Sequence, residues 1–304
     1  MERKLAVIVG VGAALLAAAV VAVVALAGAD DGGSAQRRPA SSAAVKVDRF
    51  DSKRAFAELE RQVELGPRTA GSPVLRRLAE RLRRALPGGR FEPVPDHPGL
   101  RNVVGRLAGA QPPIVIAAHY DSKDIPDFLG ANDSAAGTAA VLELARVLRR
   151  TDRPKGAPAL RFVLFDGEEA TDDTRPFLAT GVRGSKAYAA RHRGEVRSLI
   201  LLDFIAAKGM RIQREASSDP GLWSKLRRAA RTVGAESAFP PGTGSAVTDD
   251  HTPFLAQGVP SIDLIQWPYD CWHKPCDDMT AVSERSLDQS GETVLELVRT
   301  LSRP

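Results

Sequence analysis

Thiols are almost absent from this 304-residue chain. Its two cysteines, Cys271 and Cys276, lie five apart near the end, so any metal site must be built from imidazole and carboxylate. Histidine is scarce too, with five in all, and aromatic residues make up only 5%. The formal charge of +5 would suit a nucleic-acid partner, but no recognition motif or aromatic-basic platform accompanies it. The arginines are scattered through helical stretches such as residues 76–84 and interleaved with acids, as on solvated helix faces. No nucleic-acid partner is expected, and there is no internal repeat.

Charge is missing altogether from Leu5–Ala29, a run of mostly Ala, Val, Leu and Gly. It is long enough to span a membrane, which takes about 20 apolar residues. Arg3 and Lys4 precede it and Asp30-Asp31 follow, so the positive-inside rule keeps the N-terminus cytoplasmic and sends the rest out. Residues 1–29 are therefore expected to be a transmembrane signal-anchor. A cleavable signal peptide is the alternative, since Ala25-Leu26-Ala27 and Ala27-Gly28-Ala29 fit a cleavage pattern. Either way the expected location is outside the cytoplasm, on the cell membrane or secreted. There a Cys271–Cys276 disulfide is expected, closing a small loop around Trp272-His273.

Residues 30–44 lack apolar periodicity and read as a flexible linker, so the folded domain is expected over 45–304. Helical spacing appears at 50–65, 74–86, 134–150, 184–192, 220–232 and 284–301. Asp219 and Pro220 suit the start of the fifth of these. Short β-branched or aliphatic runs at 102–107, 113–118, 160–165, 198–205 and 261–265 read as strands. This alternation predicts an α/β/α sandwich with a mainly parallel mixed sheet. In such sheets ligands gather beyond the carboxyl ends of the strands.

The polar residues fall there. His119 and Asp121 follow one strand, Asp166, Glu168 and Glu169 a second, and Asp203 a third; Asp133 sits in the Gly-rich turn before the long helix. Asp249-Asp250-His251 and Trp272-His273 come later. Singly, each has an ordinary explanation: Asp133 or Ser134 as a helix N-cap, Glu168-Glu169 as a solvated pair, His119 as a hydrogen-bonded strand-end histidine. Six segments converging on one edge are another matter, because carboxylates buried together need a cation. Imidazole and carboxylate without thiolate point to catalytic zinc rather than magnesium or calcium. With Glu169 as a ligand, Glu168 is placed to move a proton. Asp121 is placed to orient the His119 imidazole.

This ordered set resembles the zinc aminopeptidase and glutaminyl cyclase superfamily (metallopeptidase family 28). The segments are HYDSK (119–123), GANDSAAG (130–137), FDGEEA (165–170), LLDFIA (201–206), DDHTPFLAQGVP (249–260) and WHKPCDD (272–278). Gly66-Pro67-Arg68 and Asn102-Val103-Val104 resemble upstream parts of the family. The resemblance implies zinc on Asp133, Glu169 and His273, with Glu168 as the general base. In the aminopeptidase branch His119 and Asp203 would hold a second zinc. In the cyclase branch there is one zinc, and Asp203 and Asp249 would support catalysis in a carboxylate network.

Lys123, Ala170, Ile205-Ala206, the doubled Asp249-Asp250 and Trp272 look more like the cyclase branch. The expected reaction is then conversion of N-terminal glutamine of peptides or proteins to pyroglutamate. An aminopeptidase is the alternative, and a non-catalytic binding protein on the same fold a remote one. Trp272, Trp267 and His251 are expected at the substrate. Where cyclases commonly have a Trp shortly after the Glu pair, this chain has Thr171-Asp172-Asp173-Thr174, leaving that wall to Trp267 or Phe177. A monomer is the expected state.

Overall fold

The computed structural model describes residues 46–303. They form, in order, α1 (Ser52–Val63), α2 (Pro73–Ala85), β1 (Arg90–Pro93), β2 (Arg101–Leu107), β3 (Ala110–His119) and α3 (Gly137–Arg150). Next come β4 (Pro158–Phe165), α4 (Phe177–Thr180), α5 (Arg183–Arg191), β5 (Ser198–Leu202) and α6 (Pro220–Val233). The last are α7 (Thr252–Leu255), β6 (Ser261–Leu264) and α8 (Glu284–Leu301). The expected membrane span and linker lie outside the described residues. Among those described, no helix is long and apolar enough to cross a membrane.

Four helices start on a side chain that satisfies a free backbone amide. Asp51, Ser72, Asp219 and Ser283 each accept from the N–H three residues on. Pro73 and Pro220 occupy the first turn, where a missing N–H costs nothing.

The sheet has the order β1-β2-β4-β3-β5-β6. β4, β3, β5 and β6 are parallel, and β1 and β2 are added antiparallel on one edge. Side chains alternate between the faces. Ile114, Ile116 and Ala118 of β3 join the large core under α1, α2, α3, α6 and α8. Val115 and Ala117 join a smaller core with Tyr188 of α5 and Phe254 of α7. This is the expected three-layer sandwich, and burial on both faces explains the nearly unbroken apolar strands.

Three readings of the sequence need correction. β1 was not anticipated: it is four residues long, ends in Pro93 and pairs on one side only. The strand expected over 198–205 stops at Leu202. Beyond it, side chains serve the backbone, with Asn132 Oδ1 accepting from the Ala206 N–H and Ser290 Oγ donating to the Ile205 carbonyl. The long helix expected from Ser134 becomes regular only at Gly137. Ala131–Ala136 form a wider turn in which Asp133 leaves helical geometry (φ −109°, ψ 82°), and its carboxylate caps no amide.

Candidate metal centre

The parallel strands deliver the polar residues to one edge. His119 ends β3, Asp166–Glu169 follow β4, Asp203 follows β5, and Ile265–Trp267 follow β6. Asp133 is supplied by the turn ahead of α3. Gly130 opens this turn at φ 57°, and a Cβ there would lie 2.1 Å from the Asp133 carbonyl oxygen. At the other end, a Cβ on Gly137 would lie 2.1 Å from the Leu202 carbonyl, so α3 can press its start against β5. His273 comes from the loop closed by the Cys271–Cys276 disulfide and has a left-handed φ of 53°. A non-glycine residue held in that region costs of order 1–3 kcal/mol, offset by the surrounding structure.

Asp133 stands at the middle of the site. His119 Nε2 lies 3.1 Å from its Oδ1 and 3.2 Å from Asp203 Oδ1. On the other side, His273 Nε2 lies 3.7 Å from Asp133 Oδ2 and 3.2 Å from Glu169 Oε2. Asp133 is therefore common to two sets of donors, Asp133–Glu169–His273 and His119–Asp133–Asp203, each close enough to surround one ion. Asp121 lies 3.6 Å from His119 Nδ1, and its two oxygens accept from the Glu168 and Glu169 amides at 3.1 and 3.3 Å. It therefore sets the glutamate pair as well as the imidazole.

Every one of these ligand carboxylates is buried, and Glu168 is 8% exposed. Burial drives the Glu168 carboxyl well above its ordinary range, opposed by His119 and reinforced by Glu169, Asp249 and Asp250. Burial and the neighbouring Asp133 push Glu169 up to about 7, against the pull of His273. Asp203 is raised well up by burial and then by Asp249. Burial alone would lower His119, but the carboxylates of Asp121, Asp133 and Asp203 around its ring raise it well above 6.5. Glu169 Oε1 is buried with no hydrogen-bond partner. A donor set of imidazole and clustered carboxylates, with such an atom left over, fits a divalent cation.

A cavity of about 290 Å³ opens beside these residues. Asp133, Glu168, Glu169, Asp203, Asp249 and His273 form its polar end, and Phe177, Phe204, Ile265, Trp267 and Trp272 are among its apolar walls. Phe177 and Trp267 thus both stand where one of them was expected. Trp272 is 42% exposed, stacks on the His273 ring at 4.4 Å, and meets Trp267 edge-on at 4.8 Å. His251, expected at the substrate, is instead fully buried and is not among the residues lining the cavity; its ring faces Glu215 and Asp263.

Three residues have roles that the sequence reading does not assign. Asp277 accepts from the Asn132 and Asp133 amides at 2.9 and 3.1 Å and from the Tyr269 hydroxyl at 2.7 Å, tying the histidine loop to the Asp133 turn. Arg68, fully buried, donates to the carbonyls of Gln62, Gly66, Leu129 and Gly130 and so fixes that turn from behind. Asp263 is a buried acid in the middle of β6. The only local signals were the second-last Asp of WHKPCDD, the Gly-Pro-Arg segment, and an acid interrupting an aliphatic strand.

An α/β/α sandwich with a two-sided imidazole–carboxylate centre beyond its parallel strands defines the zinc-exopeptidase architecture. Residues 102–298 match peptidase family M28, and the chain belongs to that family. A glutaminyl-peptide cyclotransferase of Drosophila melanogaster is 32% identical over 221 residues, covering 62% of this chain and 61% of that protein. Aminopeptidase YwaD of Bacillus subtilis is 30% identical over 201 residues, 61% of this chain and 40% of that protein. The chain thus spans about three fifths, or less, of the length of these two relatives. The solved glutaminyl cyclase of Porphyromonas gingivalis superposes with a TM-score of 0.74 at 28% identity, covering 84% of this chain and 99% of that one.

Proposed function

We propose that the protein is a zinc-dependent enzyme acting on the free N-terminus of peptides or proteins, cyclising N-terminal glutamine to pyroglutamate with release of ammonia. The observation that carries this reading is the cavity: a small chamber with aromatic walls and an acid–histidine end. Its volume lies just below the roughly 300–1,000 Å³ usual for ligand sites, suited to one terminal residue rather than an extended peptide. The relatives named as glutaminyl-peptide cyclotransferases support the same choice.

Zinc on Asp133, Glu169 and His273 would polarise the side-chain amide carbonyl of the bound glutamine. The protein does the rest. Trp267, Trp272 and Phe177 hold the methylene chain and exclude water. Glu168 takes the proton of the α-amine as its nitrogen bonds to the amide carbon. It returns that proton to the departing nitrogen as the carbon–nitrogen bond breaks, so ammonia leaves and the charge balances. Asp203 and Asp249, at the same end of the cavity, hold the electrostatic environment of Glu168.

His119 and Asp203 around the second oxygen of Asp133 favour one other reading, a two-zinc aminopeptidase. A single assay on the purified protein separates them, offering a Gln-initiated and a Leu-initiated peptide with and without chelator. Ammonia and a cyclised product, both abolished by chelator, are expected. Free leucine establishes the peptidase instead, and inertness toward both peptides defeats both readings. The uncharged run at residues 5–29 supports placing the catalytic domain outside the cytoplasm, held at the cell membrane or released.

A further inference from the structure

A second group of polar residues lies behind the cavity and shares only Asp249 with its lining. His251, at the start of α7, is fully buried, with Nε2 2.8 Å from Ser217 Oγ and 3.2 Å from Glu215 Oε2. Glu215 accepts from the amides of Ser217, Ser218 and Val247 and from the hydroxyls of Ser217 and Ser218. Burial would raise Glu215, but the bonds from His251 and these amides outweigh it and bring its pKa down to about 2. With Nε2 engaged by Ser217 and Glu215, Nδ1 is the ring nitrogen left without a partner.

That nitrogen faces an acid. Nδ1 has no hydrogen-bond partner and lies 3.8 Å from Asp263 Oδ2, too far for a hydrogen bond. No amide, hydroxyl or basic side chain donates to either carboxylate oxygen of Asp263 or to Asp249 Oδ2, and the two carboxyls are set against each other. Asp263 is 0% and Asp249 3% exposed, and no described Lys or Arg makes an ion pair with either. Yet one donor atom from each of Asp249, His251 and Asp263 lies within 4.8 Å of the others. A 3.8 Å gap suits two ligands of one ion, each about 2.0–2.2 Å from it.

We propose that Asp249, His251 and Asp263 form a buried site for a divalent transition-metal ion, zinc foremost, behind the cavity and separate from the centre on Asp133. Glu215, on the far nitrogen of the imidazole, orients it as carboxylates commonly orient ligating histidines. An imidazole among the donors disfavours magnesium and calcium. The ion offsets the charge of two buried acids and fixes Asp249, whose side chain also lines the cavity.

The test is metal content of the full chain, stripped with chelator, re-equilibrated with zinc alone and desalted. Asp133→Asn removes the residue shared by both sets of donors at the main centre, so the zinc it retains reports the other site. That variant is expected to keep about one zinc per chain, and Asp133→Asn with Asp263→Asn to keep about none. A folded Asp133→Asn protein without zinc overturns the proposal, as does a retained zinc indifferent to Asp263→Asn. Wild-type crystals grown with zinc give a check that needs no variant to fold: anomalous density is expected between His251 Nδ1 and Asp263, and its absence there overturns the site. Failure of this site leaves the centre on Asp133 and its reaction untouched.

Discussion

At the residue scale, the two adjacent glutamates are distinguished by what each one touches. Glu169 lies 3.2 Å from the ligand histidine, whereas Glu168 shares the cavity with no imidazole within ion-pair distance. Glu168→Gln should therefore keep the metal and lose turnover by about 10²–10⁴, the usual worth of a positioned proton carrier. Kinetics and metal content on one sample check this; zinc lost together with activity would show that the base and ligand roles are wrongly divided. This division could be read from the sequence because each acid follows a strand end and belongs to a recognisable segment. Asp277, Arg68 and Asp263 could not. Apart from the Arg68–Gly66 bond, their partners lie from 6 to 145 residues away or on neighbouring strands, as in the Asn132–Asp277 and Arg68–Gly130 bonds, and no local spacing encodes such pairing.

At the scale of elements, the centre depends on two pieces of irregular backbone. The histidine loop is one. The Cys271–Cys276 bridge closes a six-residue loop, which in the chain-entropy picture is worth about 2 kcal/mol. Replacing both cysteines with serine should loosen a loop that already holds His273 at φ 53°. Metal affinity is expected to fall more than global stability, read by competition with a chromophoric chelator and by thermal melting. Equal affinity in the variant would mean that Asp277, through its bonds to the Asp133 turn, holds the loop unaided. The start of α3 is the other. Gly137 has an ordinary helical φ of −60°, so alanine there is resisted only by contact, 2.1 Å from the Leu202 carbonyl and 3.0 Å from the Ala118 Cβ. Gly137→Ala should cost about 1–3 kcal/mol or more, because backbone lies in the way. An unchanged melting temperature would show that α3 can move off β5. Sequence periodicity gave α3 its length but set its start too early, since the turn obeys the Asp133 carboxylate and Asp277 rather than helix propensity.

For the whole molecule, the acids at the centre tie stability to pH in a direction opposite to that of an ordinary ion-paired protein. Burial raises Glu169, Asp166 and Asp277 each to about 7, from ordinary values near 4. A group whose folded pKa is raised contributes stability that is complete below its unfolded value and lost as pH rises through the folded one. His119 and His273, also raised, act in the same direction. Glu92 and Glu215, lowered to about 2, contribute their full effect above about pH 4.5 and do not alter the trend between pH 5 and 8. Chelated protein should thus melt at a higher temperature at pH 5 than at pH 8. Metal reverses this at its own site, because a ligand must be deprotonated to bind it and protons compete as pH falls. Zinc at about a thousand times its dissociation constant adds about 4 kcal/mol. The gap in melting temperature between zinc-loaded and chelated protein should therefore be widest at pH 8 and close toward pH 5. Calorimetry across that range tests both statements. A gap indifferent to pH would mean that neither Glu169 nor His273 is a ligand, and a chelated protein most stable at pH 8 would mean that the buried acids are ionised and paired in ways these contacts do not provide.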